Sequence, residues 1–220
     1  MAAPVVRFRI DLRRIPSLDR GKSVFLKPFG IPVLLLKGRQ ECLTQNCAKS
    51  FIRIFFNLAP IEPQLPGYDA CFLCLGGSSV GMSQQEYKHI TYDLTLNVAQ
   101  LLAKCNRDIT FCYVTGAGTD SSEHGRIAWA RVKGATENAL MRLFKRSYMF
   151  RPGFMKPTPG QKNVKSYYQW LAWVYPVGRT LYPAGFCTLQ EVGWAMINAV
   201  IKGYPQPILE VKDIVQLARV

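Results

Sequence analysis

The sequence predicts an α/β protein in which a parallel sheet is flanked by helices. From residue 70 onward, apolar runs of strand length alternate with longer amphipathic segments. The run at 70–75 is continuously apolar, which is typical of a strand buried on both faces of a parallel sheet. Strands joined through helices form right-handed βαβ units, so we expect the following strands to be parallel.

The individual elements follow from spacing and punctuation. We expect strands at 70–75, 108–114, 147–151 and 206–210. A capping box of Ser83 and Glu86 opens a helix that extends to about residue 104. Further helices are expected at 126–144, 164–180, 189–201 and 211–218.

The first 57 residues lack this regularity. In residues 1–15, apolar and polar side chains alternate, which indicates one half-buried strand. Short apolar runs at 23–26, 31–36 and 50–57 could be further strands, and no helix is evident there. We therefore divide the chain into a divergent basic segment, 1–57, that could contribute edge strands, and a domain, 58–220, that closes with a small helical cap.

Charge is unevenly distributed along the chain. The formal net charge is +14; residues 1–57 hold eleven Lys or Arg against three Asp or Glu, a net +8. The cations are scattered rather than clustered on one helix, which favours an ordinary solvated surface, or affinity for an anionic cofactor, and argues against specific nucleic-acid binding. A basic protein that binds anions or nucleic acid is kept as a third alternative.

Cysteine usage and hydropathy indicate the compartment. No apolar run reaches the ~18 residues that span a bilayer, and the start lacks the apolar core of a secretory signal. The chain has seven cysteines, an odd number, and the simplest interpretation is that they are reduced thiols in a cytoplasmic protein without membrane contact. Cys71 and Cys74 would face opposite sides of a strand, so we expect core packing and no metal site.

Three expected strand ends carry small or hydroxyl residues. They are the segments 75–78 (Leu-Gly-Gly-Ser), 115–119 (Thr-Gly-Ala-Gly-Thr) and 151–154 (Arg-Pro-Gly-Phe). Ligands of open parallel sheets bind at the carboxyl ends of the strands, and glycines allow close approach to the backbone. On the helix after the second of these ends, Trp129 and Lys133 share a face.

Four segments in order resemble those of atypical short-chain dehydrogenase/reductases. They are 68–76 (Tyr-Asp-Ala-Cys-Phe-Leu-Cys-Leu-Gly), 113–122 (Tyr-Val-Thr-Gly-Ala-Gly-Thr-Asp-Ser-Ser), 129–134 (Trp-Ala-Arg-Val-Lys-Gly) and 148–154 (Tyr-Met-Phe-Arg-Pro-Gly-Phe). More closely, residues 55–215 resemble small bacterial NAD-dependent epimerase/dehydratase proteins, also called nucleoside-diphosphate-sugar epimerases.

The resemblance implies a Rossmann-like domain that binds NAD or NADP. It implies that Leu75 and Gly76 lie beside the adenosine half of the cofactor and that Lys133 bonds the nicotinamide ribose. It places Pro152, Gly153 and Phe154 near the nicotinamide. Thr115, or a neighbour on its loop, would orient a small-molecule substrate, so Thr115 and Lys133 are the expected catalytic residues.

Two positions depart from the family pattern. Active members have a tyrosine four residues before the lysine, where this chain has Trp129; an indole N–H only donates and cannot relay protons. The family also opens with a glycine-rich turn that grips the pyrophosphate, whereas residues 1–57 contain only the separated glycines Gly21, Gly30 and Gly38.

Two readings follow from the resemblance and its departures. The first is an NAD(P)-binding oxidoreductase or sugar-nucleotide epimerase. The alternative is a non-catalytic dinucleotide sensor or interaction scaffold, which both departures favour. Several side chains could replace the missing proton relay, and no pattern selects among them: Tyr92, Tyr113, Asp120, Glu123 and His124.

Overall fold

The described part of the chain covers most of the predicted domain. The structure is a computed structural model that describes residues 24–25, 33–35, 58, 62–63, 65–75, 79–157 and 175–220; for 24–25 and 33–35 it describes the backbone only. The strands predicted at 1–15 and 50–57, and residues 164–174 of a predicted helix, lie outside the described residues.

Eight strands of the described residues form two sheets. In chain order they are β1 (Val24–Phe25), β2 (Val33–Leu35), β3 (Ala70–Leu73), β4 (Thr110–Val114), β5 (Ser147–Arg151), β6 (Phe154–Lys156), β7 (Phe186–Thr188) and β8 (Ile208–Glu210). The main sheet has the order β1-β2-β3-β4-β5-β8. Strands β3, β4, β5 and β8 are parallel, whereas β1 and β2 pair antiparallel with their neighbours.

Helices connect the parallel strands. α1 (Gln84–Lys88) continues through a π-helical turn (His89–Asp93) into α2 (Leu94–Cys105), and α3 (Ala128–Leu143) joins β4 to β5. α4 (Leu189–Lys202) and α5 (Val211–Ala218) flank β8, and residues 175–181 are also helical. Among the described helices, none is both long and apolar enough to cross a membrane.

The parallel strands are buried on both faces, which explains their continuous apolar runs. On β4, Phe111 and Tyr113 pack in a core layer with residues of α2 and α3. Cys112, between them, points to the second layer, which contains residues of α4 and α5 such as Met196 and Ile214. Alternate residues of a strand face opposite sides, so each layer receives every second side chain.

The cysteines of β3 and β4 are core residues. Cys71 and Cys112 are fully buried, and Cys74 packs against the layer opposite to that of Cys71. Burial raises the pKa of the Cys71 and Cys112 thiols and raises the pKa of Cys74 to about 12. These thiols therefore behave as small apolar side chains. The cytoplasmic location expected from the cysteine content stays a prediction.

A small second sheet follows β5. β6 and β7 pair in parallel, and Gly153 permits their approach because a Cβ there would lie 2.3 Å from the carbonyl oxygen of Gly185. The rings of Phe154, Tyr175 and Phe186 cluster beside this sheet, with centroid separations between 5.6 and 6.4 Å. The sequence did not predict this sheet.

The predicted fold class, a Rossmann-like parallel sheet flanked by helices, is confirmed. The strand predicted at 70–75 is shorter, since it leaves the sheet after Leu73. The helix predicted to begin at Ser83 contains a π-helical turn that periodicity did not reveal. The division into segments 1–57 and 58–220 stays a prediction.

Candidate functional site

The carboxyl ends of β3, β4 and β5 lie side by side. Leu73 of β3 is beside Tyr113 of β4, and Val114 is beside Phe150 of β5. Beyond the ladder, the amide of Ala117 donates to the carbonyl of Pro152 at 2.9 Å, which ties the loop after β4 to the segment after β5. Ligands of parallel α/β sheets bind at this edge. We call it the strand-end site.

Lys133 of α3 reaches into the strand-end site. Its Nζ donates to the carbonyl oxygen of Thr115 at 2.7 Å and lies 5.8 Å from the centre of the Trp129 ring. A Cβ on Gly116 would lie only 3.7 Å from this Nζ and 3.9 Å from the carbonyl oxygen of Pro152. Burial lowers the pKa of Lys133 to about 8, although the negative charge of Glu137 acts to raise it.

A buried ion pair lies behind the lysine. The carboxylate of Glu137 is fully buried, and Arg151 donates to it through Nε, 3.1 Å from each oxygen, and through Nη2. Arg151 also donates to Ser121 Oγ at 2.5 Å and to Glu210 Oε1 at 3.2 Å. Burial alone would lower the pKa of Arg151, but its bonds to Glu137 and Glu210 raise it. Such bonds offset the cost of burying both charges.

The hydroxyl of Thr115 is part of the same network. Its Oγ1 lies 2.5 Å from Glu137 Oε1 and 3.2 Å from the carbonyl oxygen of Phe150. The carboxylate and the carbonyl can only accept hydrogen bonds, and the hydroxyl has one proton to donate. We assign that proton to the shorter bond, which goes to the carboxylate. Within this arrangement a ligand could donate to Oγ1 but could not receive its proton.

The loop between β4 and α3 is held by Asp120. Its carboxylate accepts bonds from Ser122 Oγ at 2.6 Å and from the amides of Ser122 and Gly125. The hydrogen bond from Ser122 is the main reason that the pKa of Asp120 is lowered. Glu123, in the same loop, has the left-handed φ of 65° and accepts a bond from Asn138 at 2.7 Å. The loop is therefore pinned to α3 by side chains.

Trp129 forms a wall of the site. It is partly buried, and a Cβ on Gly118 would lie 3.6 Å from its ring. The indole therefore lies beside both the Nζ of Lys133 and Gly118 of the loop after β4. This position suits an aromatic surface against which a planar group could pack, and it provides no proton acceptor.

The side chains considered as replacement proton donors have other surroundings. Tyr113 is fully buried in the core, and burial raises the pKa of its phenol. Asp120 holds its loop, and Glu123 bonds Asn138. Tyr92 lies on the π-helical turn, its ring 5.6 Å from the Nζ of Lys88, and His124 is exposed. None of these five groups bonds Lys133 within the described residues.

The structure brings some of the predicted site residues together. Thr115, Lys133 and Pro152 meet around Gly116. Phe154 lies on β6 in the aromatic cluster, and Leu75 is partly buried against the α2 and α3 core layer. Gly76 lies outside the described residues. The assignment of catalytic and cofactor-binding roles to these residues stays a prediction.

Glu137 and the pairing role of Arg151 were not predicted as site features. Glu137 follows Lys133 by four residues, so both lie on one face of α3, and this spacing was the only signal in the sequence. Arg151 was noted only as the start of the segment after β5. Their ion pair joins α3 to β5, and neither spacing nor composition predicts such a tertiary contact.

The strand-end site presents a hydrogen-bond donor and a flat ring beside a glycine. Lys133 is the donor, Trp129 supplies the ring, and Gly116 adds no side chain beside that donor. On the other side of β3 stands β2, whose amino end, Val33, lies beside Leu73 because the two strands are antiparallel. The glycines that follow β3 in the sequence, Gly76 and Gly77, lie outside the described residues.

Two solved structures are similar to this chain. The Helicobacter pylori ADP-L-glycero-D-manno-heptose-6-epimerase matches with 11% identity and a TM-score of 0.50, over 82% of this chain and 65% of the epimerase. The Bordetella bronchiseptica enzyme WbmG, solved in complex with NAD, matches with 12% identity and a TM-score of 0.48, over 74% of this chain and 60% of WbmG.

The chain thus spans about 60 to 65% of the length of these two structures. Neither protein-family models nor curated protein sequences yield a match. At such low identity, the likeness to the heptose epimerase shows the fold alone. The class defined here is an α/β protein with a Rossmann-like fold similar to that of a sugar-nucleotide epimerase.

Proposed function

We propose that this protein binds NAD or NADP at the strand-end site, mainly through the nicotinamide–ribose half, and lacks the proton relay of the enzymes it resembles. The observation that carries the proposal is Lys133, whose Nζ is held by the carbonyl of Thr115 beside the open backbone of Gly116. An amine in this position donates to ribose hydroxyls at the edge where such sheets bind ligands.

Each side chain of the site has a proposed role. Lys133 bonds the ribose, and Trp129 packs against the nicotinamide ring. Thr115 is a positioning residue, since its carbonyl holds Lys133 and its hydroxyl anchors the loop on Glu137. Pro152 holds the loop by accepting from Ala117. Leu75, Gly76, Gly153 and Phe154 remain proposed cofactor contacts on the strength of the resemblance.

The bound dinucleotide would supply a hydride acceptor or donor. The chain's own residues would bind and orient it, and Trp129, at the position of the family's tyrosine, carries an indole N–H that does not relay protons near neutral pH. This supports a dinucleotide sensor or scaffold over an oxidoreductase or sugar-nucleotide epimerase. Two predictions remain open. One is the small-molecule substrate that an enzyme would need, and the other is the alternative of a basic anion-binding protein.

Titration of the full-length protein with NADH and NADPH, followed by tryptophan fluorescence and calorimetry, tests this proposal. We expect a saturable change in fluorescence, because Trp129 forms a wall of the site and a bound nucleotide would alter its surroundings. Lys133→Ala should weaken binding about tenfold or more, since a hydrogen bond from a charged donor contributes about 1.5–3 kcal/mol.

Lys145→Ala is the matched control. Lys145 is an exposed lysine just before β5, at its amino end, where it pairs with Asp108 at 3.1 Å. Its removal should leave the affinity unchanged. Absence of binding at millimolar nucleotide, or equal losses in the two variants, would refute the proposal.

A further inference from the structure

Lys133 lacks the counter-ion that its position on α3 would ordinarily provide. Glu137 is four residues further along, so the two side chains lie on one face of the helix. Lysine and glutamate at this spacing commonly form an ion pair. Here the Nζ of Lys133 instead donates to the carbonyl oxygen of Thr115 at 2.7 Å.

Other groups occupy the carboxylate of Glu137. Arg151 donates to both of its oxygens, and the Thr115 hydroxyl donates to Oε1 at 2.5 Å. The planar guanidinium matches the geometry of a carboxylate better than an ammonium does, so Arg151 donates to both carboxylate oxygens. Within the described residues no carboxylate bonds the Nζ of Lys133.

The other charged groups around Lys133 are also engaged. Arg151, on β5, directs its guanidinium to Glu137 and Glu210. Asp120, in the loop packed on α3, directs its carboxylate to Ser122 and Gly125. Partial burial without a bonded counter-ion favours the neutral amine, consistent with the lowered pKa of about 8. Roughly a tenth of the lysine is then neutral at pH 7, against roughly one part in three thousand for an ordinary lysine.

We propose that Lys133 is a nucleophilic amine that forms an imine with an aldehyde-bearing small molecule at the strand-end site. One N–H of the neutral amine stays on the Thr115 carbonyl, which leaves the nitrogen lone pair available. Gly116 presents no side chain beside this nitrogen, where a Cβ would lie 3.7 Å away. Amines desolvated in this way are the ones that condense with carbonyl substrates.

The condensation needs no other reactant. Nζ attacks the aldehyde carbon to form a C–N bond, and the carbonyl oxygen takes up a proton as nitrogen loses one. The resulting carbinolamine loses its oxygen as water, which leaves the imine. This reaction is independent of nucleotide binding, although an aldehyde and NADH would compete for the same Nζ.

Reductive trapping with propanal and sodium cyanoborohydride on the full-length protein, without nucleotide, tests the proposal. The hydride of the reagent adds to the imine carbon and leaves a stable secondary amine, which peptide mass mapping locates. Lys104 is the internal reference, because it is exposed and has the carboxylate partner that Lys133 lacks, Glu62, at 2.6 Å. The bond to Glu62 raises the pKa of Lys104.

At pH 7 we expect Lys133 to be labelled about tenfold or more faster than Lys104, because its neutral fraction is larger. Its labelling rate should rise with pH and level off above about pH 8. Mapping the unmodified sequence avoids any dependence on a variant that fails to fold. Lys133→Arg should abolish the fast phase and leave labelling of Lys104 unchanged.

Labelling of Lys133 no faster than that of Lys104 would overturn the proposal. So would a rate for Lys133 that keeps rising to pH 10, as for an ordinary lysine. The trapping experiment contains no nucleotide, so a negative result there would not contradict the proposed NAD(P) binding. Likewise, a negative nucleotide titration would not contradict imine formation.

Discussion

Gly134 lies where the loop after β4 crosses α3. The amide of Asp120 donates to the carbonyl of Ala130 at 3.1 Å, so the loop backbone runs directly against the helix. A Cβ on Gly134 would lie 1.7 Å from the carbonyl oxygen of Asp120. No side chain fits in this space, and the loop that carries Ser121 toward Arg151 depends on it.

Gly134→Ala should therefore destabilise the protein by about 2 kcal/mol or more, as measured by urea denaturation. In an open helix the same change would stabilise by up to about 1 kcal/mol. Gly116→Ala is the control, since its added Cβ would make ordinary contacts at 3.7 and 3.9 Å. A Gly134→Ala variant as stable as the natural sequence would show that the loop does not cross the helix here.

For single residues, the sequence predicted the positions of side chains better than it predicted their bonding partners. The spacing of Trp129 and Lys133 correctly places both on one face of α3, where they contact at 5.8 Å. The proton of Thr115 goes to Glu137 rather than toward a ligand, and that bond spans 22 residues. A contact between side chains on different elements has no local pattern, so periodicity could not have predicted it.

Among the elements, α4 begins with a side chain that has two functions. Glu191 completes a capping box by accepting from the Thr188 amide at 2.7 Å, and it binds Arg179 at 2.6 and 2.8 Å. Burial alone would raise the pKa of Glu191, but the bonds from Arg179 and Thr188 lower it. The ionised carboxylate thus joins the helical residues 175–181 to α4.

Glu191→Gln should lower the melting temperature at pH 7 by about 2–4 °C, because glutamine keeps the cap but loses roughly 1 kcal/mol from the charged pair. The folded-state pKa is depressed, so this stabilisation is present above the ordinary carboxyl pKa and is lost as pH falls through the folded value. The difference between the two proteins should therefore shrink toward pH 3.

Glu86→Gln provides the comparison at α1. Glu86 completes a capping box with Ser83 in the same way, and within the described residues it forms no ion pair. Its substitution should change the melting temperature less than Glu191→Gln does. Equal shifts in the two variants, or a difference for Glu191→Gln that does not depend on pH, would contradict the role of the Arg179 pair.

Elements with a clear apolar pattern were predictable, and the two short strands of the second sheet were not. The strand 147–151 and the helix 211–218 match their predicted bounds, because each has a clear apolar pattern and a punctuating residue. β6 and β7 have three residues each, too few for an alternation to be recognised. Their pairing depends on the approach of Gly153 to Gly185, which only the folded chain creates.

For the whole molecule, the important feature is the change of direction at β3. From β3 to β8 the sheet is parallel, and its carboxyl edge holds the strand-end site. β2 is antiparallel to β3, so it brings its amino end to that edge. The sequence predicted a possible strand at 31–36, but the direction of β2 could not be predicted from its short apolar run.

The nucleotide contacts that we propose lie on the parallel side of β3. They are Lys133, Trp129 and Gly116. A ligand held in this way leaves its adenosine half with fewer contacts. The affinity should then be lower than for a protein that grips both halves.

Saturation-transfer NMR of NAD⁺ with the full-length protein tests the proposed mode of binding, because it shows which ligand protons touch the protein. We expect the larger transfer to the protons of the nicotinamide and its ribose, and we expect that transfer to be lost in Lys133→Ala. Larger transfer to the adenine protons, or no transfer to any proton of the ligand, would contradict it.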